Sequence, residues 1–137
     1  SGPIPLTGLD GKFSVEYCAA AALLDGRVNI DSFTDERRFA SDMETTLPKI
    51  KVDPEGPTSG TVAVTAVLND GTEIKDECVS FKGSAKNPMN ASERLDKVVD
   101  CISRAISDSE TKQVIELAHN LEDVDDISNM MSLLVKP

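Results

Sequence analysis

Apolar and polar positions alternate with a helical rhythm at both ends of the chain and with a strand rhythm in the middle. Phe13, Val15, Cys18, Ala19 to Ala22, Leu23 and Leu24 form a mostly apolar run closed by Asp25-Gly26. Ser14 suits the N-cap of this predicted helix and Gly26 the left-handed residue just beyond its end. The consecutive alanines leave the helix no bulky side, so it is expected to be deeply buried and closely approached from several directions. Gly26 to Ile30 reads as a turn and a short extended piece. Asp31 to Ala40 reads as one or two helical turns, with Thr34 as cap and Asp35-Glu36 at the positive helix end. Ser41-x-x-Glu44 has the form of a capping box and opens a third short helix ending near Pro48.

From Ile50 the period becomes two. Ile50 to Val52 is a candidate short strand, and Thr61 to Leu68 alternates clearly, with Val62, Val64, Ala66 and Leu68 on one face. Asn69-Asp70-Gly71 supplies a hairpin turn, because these residues tolerate positive φ. Thr72 to Phe81 is the return strand, and a parity shift between Ile74 and Val79 predicts a bulge near Asp76. After a loop from Lys82 to Met89, Asn90-x-x-Glu93 forms another capping box. Helical spacing then marks segments at about 91–106 and 109–121, and a last short helix around Ile127 to Leu134. Helices, a hairpin and helices again predict an α+β fold, a small antiparallel sheet with helices packed on one face. Residues 1–11, with Gly or Pro at five positions, read as an extended lead-in.

Length and charge narrow what such a fold can do. The 137 residues make one domain, 1–137. Ser1-Gly2-Pro3 reads as a processed start or a tag remnant at 1–2, so the chain is expected to be a piece of a longer one. Fourteen basic and 24 acidic side chains give a formal charge of −10, which argues against nucleic acid and against an anionic membrane surface as partners. No apolar run approaches the roughly 20 residues that span a bilayer. With one His, His119, and three Cys at 18, 78 and 101, no pair has zinc-motif spacing, and no motif calls for a metal or a cofactor. The odd thiol count predicts reduced cysteines and a cytoplasmic location. Cys18 reads as packing, His119 as a helix-surface residue, Asn90-Ala91-Ser92 as a cap rather than a glycan acceptor, and Glu122 to Asp126 as a solvated acidic turn rather than a calcium loop.

Two places hold more chemistry. Lys12-Phe13-Ser14-x-x-Tyr17 puts a cation, a hydroxyl and the chain's one phenol within a turn and a half of a helix start. Lys12 and the helix start favour an anion such as a carboxylate, to which Tyr17 can donate a hydrogen bond or a proton. The same residues equally describe a capped helix whose buried Tyr finds a backbone partner. Phe81-Lys82-Gly83 with Lys86-Asn87-Pro88 is a basic loop in an acidic chain, and reads either as an anion-facing loop or as a solvated one.

Thr7-Gly8-Leu9-Asp10-Gly11-Lys12-Phe13-Ser14 followed by Tyr17-Cys18-Ala19-Ala20-Ala21-Ala22-Leu23-Leu24-Asp25-Gly26 resembles the MmgE/PrpD family. Phe33-Thr34-Asp35, the Asp70-Gly71 hairpin and the Gly83…Asn87-Pro88 loop fit in order. The resemblance covers nearly all of the chain and maps onto the family's smaller C-terminal domain, which is similar to an α/β plait. It implies a lid over the active site of a lyase or isomerase acting on small di- or tricarboxylates, such as a 2-methylcitrate dehydratase or cis-aconitate decarboxylase. The catalytic histidines of the family come largely from an N-terminal helical domain, which becomes the implied partner. By the same resemblance Tyr17 is the implied catalytic residue, with Lys12 and Ser14 in the same motif; the −10 charge, which would repel a carboxylate, adds Lys82 and Lys86 to Lys12 as candidate substrate-binding residues. Gly11 departs from the family's frequent Ala, and the 82–88 loop lacks an acidic residue and a Pro common in relatives, which leaves the substrate open. With a single His, the isolated chain is expected to be inactive. The competing expectation is a stand-alone α+β binding or self-association module; if the N-terminal partner is missing, its exposed docking face would favour a homodimer.

Overall fold

A computed structural model describes residues 4–53, 55 and 61–135. The chain is α+β and divides into two compact units, the first ending at Pro88 and the second beginning at Met89.

The first unit opens with a 3-10 turn, Leu9–Phe13, followed by α1, Val15–Asp25. The extended lead-in expected over 1–11 is therefore wound from Leu9 onward, and its residues 1–3 lie outside the described set. Asp10 drives the winding by accepting from the Leu6 and Thr7 amides at 3.2 and 3.0 Å while its own amide donates to Thr7 Oγ1 at 3.2 Å, a reciprocal capping-box pattern. Ser14 caps α1 by accepting from the Tyr17 amide at 3.1 Å, and Gly26 ends it at φ 69°, a left-handed conformation that favours glycine.

A 3-10 turn at Ile30–Phe33 leads to α2, Asp35–Arg38, where Thr34 accepts from the Arg37 amide as expected. α3 covers Ser41–Thr46 and runs into a last turn, Leu47–Lys49. The Ser41-x-x-Glu44 box is not formed. Ala40 occupies the N-cap, Ser41 is already helical, and the Glu44 carboxylate is taken by the Arg38 guanidinium. A charged partner six residues away has displaced the local one.

The core of this unit is Tyr17, Ala20, Ala21, Met43 and Leu47, with Leu24, Phe33, Ala40 and Ile50 packed against it. Ala20 and Ala21 let α3 and the Leu47–Lys49 turn close onto α1. Burial of α1 is one-sided, however, since Leu23 stays 71% exposed and Val15 64%. Ile50 joins this cluster from irregular backbone, so the strand expected at Ile50 to Val52 does not form.

The sheet has two antiparallel strands, β1 at Val62–Val67 and β2 at Glu73–Cys78. Its register runs unbroken from Val62↔Cys78 to Val67↔Glu73, and Val64 faces Asp76 directly. The bulge predicted near Asp76 is therefore absent, and the parity shift is instead taken up by the strand ending at Cys78, short of Val79. Gly71 at φ 86° and the Asp70 carboxylate, which accepts from the Thr72 amide at 2.9 Å, close the hairpin. Every strand residue is exposed, so the hairpin stands apart from the core built around Tyr17.

In the second unit, α4 is Ala91–Ile102, α5 is Asp108–His119 and α6 is Ser128–Leu133. Asn90 and Glu93 form the predicted reciprocal capping box. Ser107 and Glu110 form a second one at α5, a box of the same S-x-x-E type that the helical spacing alone did not single out. α5 packs against α6 and buries Thr111 and Val114. Among the described residues no helix is long and apolar enough to cross a membrane.

Candidate functional site

The start of α1 concentrates the groups of interest. Lys12 sits on the exposed 3-10 turn, with its ammonium 5.7 Å from the centre of the Phe33 ring. At that range the ring face attracts the cation and limits where it stands. Phe13 beside it is 89% exposed.

Ser14 is buried and committed. Its Oγ accepts from the Tyr17 amide and donates to a Glu16 carboxylate oxygen at 3.2 Å. Glu16 itself is only 7% exposed, so the helix start already carries a carboxylate of its own. That residue was not among those expected at the site. The signal for it was present, since an acid in the first helical turn is the commonest complement to the dipole.

Tyr17 is fully buried. Its hydroxyl donates to the Ser32 carbonyl at 2.5 Å, and its ring lies 6.1 Å from Phe33 at an interplanar angle of 40°. Burial raises the phenol above its usual value of 10.0, against the lowering pull of Arg37 and Arg38 and with small raising contributions from Asp25 and Cys18. Tyr17 is thus held protonated. Cys18, half-buried with Sγ 3.6 Å from the Gly11 carbonyl, has its thiol pushed up by burial in the same way.

The lead-in is fastened to α2. The Gly8 amide donates to Asp35 Oδ1 at 2.7 Å, and Arg38 Nε donates to the Pro5 carbonyl at 2.7 Å. Arg38, 4% exposed, also holds Glu44, so its buried charge is both paired and hydrogen-bonded. Lys12 therefore stands on a turn anchored at both ends, by Asp35 through Gly8 and by the Ser14 cap.

Lys82 and Lys86 stand on a separate, self-closed loop. The Gly83 amide donates to the Asn87 carbonyl at 2.7 Å, with Gly83 at φ 89°. Asn87 Nδ2 donates to the Ser80 carbonyl at 3.1 Å, and the Ser80 and Ser84 hydroxyls meet at 3.0 Å. Both lysines are exposed on this preformed turn. His119 is exposed at the last turn of α5, and among the described residues no three His, Cys, Asp or Glu side chains gather into a possible metal site.

The model of the MmgE/PrpD C-terminal domain matches residues 1–123 of the chain. The chain is 26% identical over 140 residues to cis-aconitate decarboxylase of Homo sapiens, and to the same extent to that of Mus musculus. Each match covers 98% of this chain and 29% of the relative. The chain thus spans less than a third of the length of these relatives.

Proposed function

The chain belongs to the MmgE/PrpD family, and from that premise we propose that it is the substrate-covering C-terminal domain of a lyase or isomerase that acts on small di- or tricarboxylates. The observation that carries this reading is the match of residues 1–123 to the family's C-terminal domain. The one His in the sequence supports it from the chemical side. Removing a proton beside a carboxylate while protonating or releasing a leaving group needs at least two positioned acid/base groups. The chain alone is therefore inactive, and a helical N-terminal domain supplies the missing groups.

In this reading Lys12 on its turn, and Lys82 and Lys86 on their separate loop, give a chain of charge −10 its positive points towards the substrate. Lys12 is the best placed, because it is exposed while its backbone is anchored. Ser14 acts by setting the helix start rather than by touching substrate, since its oxygen is occupied on both sides. Tyr17 serves as a proton or hydrogen-bond donor only once its hydroxyl leaves the Ser32 carbonyl.

The test is complementation. The 137-residue chain is mixed with the N-terminal domain of a cis-aconitate decarboxylase, and decarboxylation of cis-aconitate and dehydration of 2-methylcitrate are followed. We expect no turnover by the chain alone, turnover by the mixture, and a higher KM with Lys12→Ala. Turnover by the chain alone at full-length rates, or silence of every mixture, overturns the reading. A second reading, a self-associating module, is favoured by the exposure of Leu6 at 80% and Phe13 at 89%. A concentration-dependent dimer in sedimentation, together with silence of every mixture, would select it.

A further inference from the structure

We propose that Gly11 decides whether Tyr17 keeps its phenol in the protein interior or releases it to the surface at the start of α1. The inference rests on the reading above, in which the Lys12 to Tyr17 segment faces the substrate, and it names the residue that sets the state of that segment.

Gly11 is buried, and its backbone is fixed from both sides. Its amide donates to the Gly8 carbonyl, and its carbonyl accepts from the Ser14 amide, both at 3.1 Å. A side chain at this position would point straight at Tyr17. A Cβ on Gly11 would lie 2.5 Å from Tyr17 Cδ1, 2.7 Å from Cε1 and 3.1 Å from Cγ. All three neighbours belong to one ring, and no backbone atom is among them.

Among the described residues the glycines at positive φ are Gly26, Gly71 and Gly83; Gly11 is not one of them, so its backbone accepts an alanine. The contrast with Gly8 is direct. A Cβ there would meet backbone atoms of Thr34 at 2.2 and 2.4 Å and the Phe33 carbonyl at 2.5 Å, and no side-chain rotation relieves that. At Gly11 the obstacle is a ring on a rotatable bond, and the relief is rotation of Tyr17 about χ1 into another staggered well. That rotation breaks the hydroxyl's bond to Ser32 and takes the ring out of the core.

With glycine at 11, the phenol is withheld. The segment then recognises a carboxylate by the charge of Lys12 alone, and proton donation from Tyr17 is absent. With alanine, both groups are offered.

Tyr17 is the sole tyrosine and the chain has no Trp, so its state can be read directly in the intact 137-residue chain. The experiment is a tyrosinate absorbance titration with acrylamide quenching of tyrosine emission, on the wild type and on Gly11→Ala, each checked for a cooperative melt. The expected result is a wild-type phenol that titrates above 10.0 and resists quenching, and a folded variant whose phenol titrates near 10.0 and is quenched almost as in the denatured chain. A folded variant with wild-type titration and quenching overturns the proposal. Loss of the cooperative melt in Gly11→Ala overturns it too, because the ring then has no outer position. Gly11→Ala with Tyr17→Leu, which removes the ring, checks that case: a restored melt identifies the ring as a fixed wedge rather than a movable group. None of these readouts depends on turnover, so silence in the complementation assay would remove the functional reading and leave the Gly11–Tyr17 relationship decided on its own.

Discussion

The Tyr17 hydroxyl donates to the Ser32 carbonyl across 15 residues of sequence, and this one bond ties α1 to the turn that precedes α2. Both partners are buried. Tyr17→Phe keeps the ring and removes only the donor, leaving the carbonyl without that bond in a dry site. The expected cost is about 1–3 kcal/mol, read as a lower midpoint in denaturant at unchanged slope. A variant as stable as the wild type would mean that water or another donor reaches Ser32.

Burial of the same phenol predicts the alkaline limit of stability. Burial raises the Tyr17 phenol above 10.0. Between 10.0 and the folded value the unfolded chain has already lost a proton that the folded chain keeps, so ∂ΔG/∂pH is negative there. The contribution is complete below pH 10.0 and is lost as pH rises through the folded value. Tyr17→Phe should flatten this limb of the stability profile, measured by denaturant midpoints taken across the alkaline range. An equally steep limb in the variant would assign the effect to lysines or thiols instead.

Gly8 packs tightly against the backbone of Phe33 and Thr34. A Cβ would stand 2.2 Å from the Thr34 carbonyl carbon, so Gly8→Ala must push the lead-in away from α2. That movement also breaks the Gly8 amide bond to Asp35. The expected loss is on the order of 2–3 kcal/mol, the upper part of the usual range for a single substitution. Amide hydrogen exchange should localise it, with faster exchange at Gly8 and Gly11 and little change in α5. Uniform acceleration across the chain would instead indicate global unfolding.

What the sequence disclosed follows from the range of each interaction. Ser14, Gly26, Thr34, Asp70-Gly71 and Asn90-x-x-Glu93 act within four residues of themselves, and each was legible because its chemistry and its partner lie in the same stretch. Ser41-x-x-Glu44 had the same local form and failed because Arg38, six residues before Glu44, took the acid. Ile50 has the local pattern of a strand, whereas its apolar side chain is drawn into the core around Met43. At the candidate site, the proximity of Lys12, Ser14 and Tyr17 was readable from helical spacing. The direction in which Tyr17 points was not, since it is set by Ser32 and by the missing Cβ of Gly11. Two readings of that segment were open in the sequence, and only three-dimensional partners could separate them.

Arg37 bridges Asp25 at the end of α1 and Asp42 at the start of α3. Its Nε and Nη2 donate to the two Asp25 oxygens at 2.9 and 3.0 Å, while Nη1 and Nη2 donate to Asp42 at 2.8 and 3.2 Å. The planar guanidinium serves both carboxylates at once, which an ammonium cannot do. Arg37→Lys should therefore lose most of what Arg37→Ala loses, about 1 kcal/mol for a network this close to the surface. The hydrogen bond from Arg37 holds the Asp42 carboxyl below its usual 3.8. Since the folded value is the lower one, the stabilisation is present above 3.8 and is lost as pH falls through the folded value. Unfolding midpoints of wild type, Arg37→Lys and Asp42→Asn, taken near neutral pH and again well below 3.8, provide the check. The three proteins should differ at neutral pH and converge in acid. Differences that persist undiminished in acid would show that Arg37 acts by packing between α1 and α3 rather than through its carboxylates.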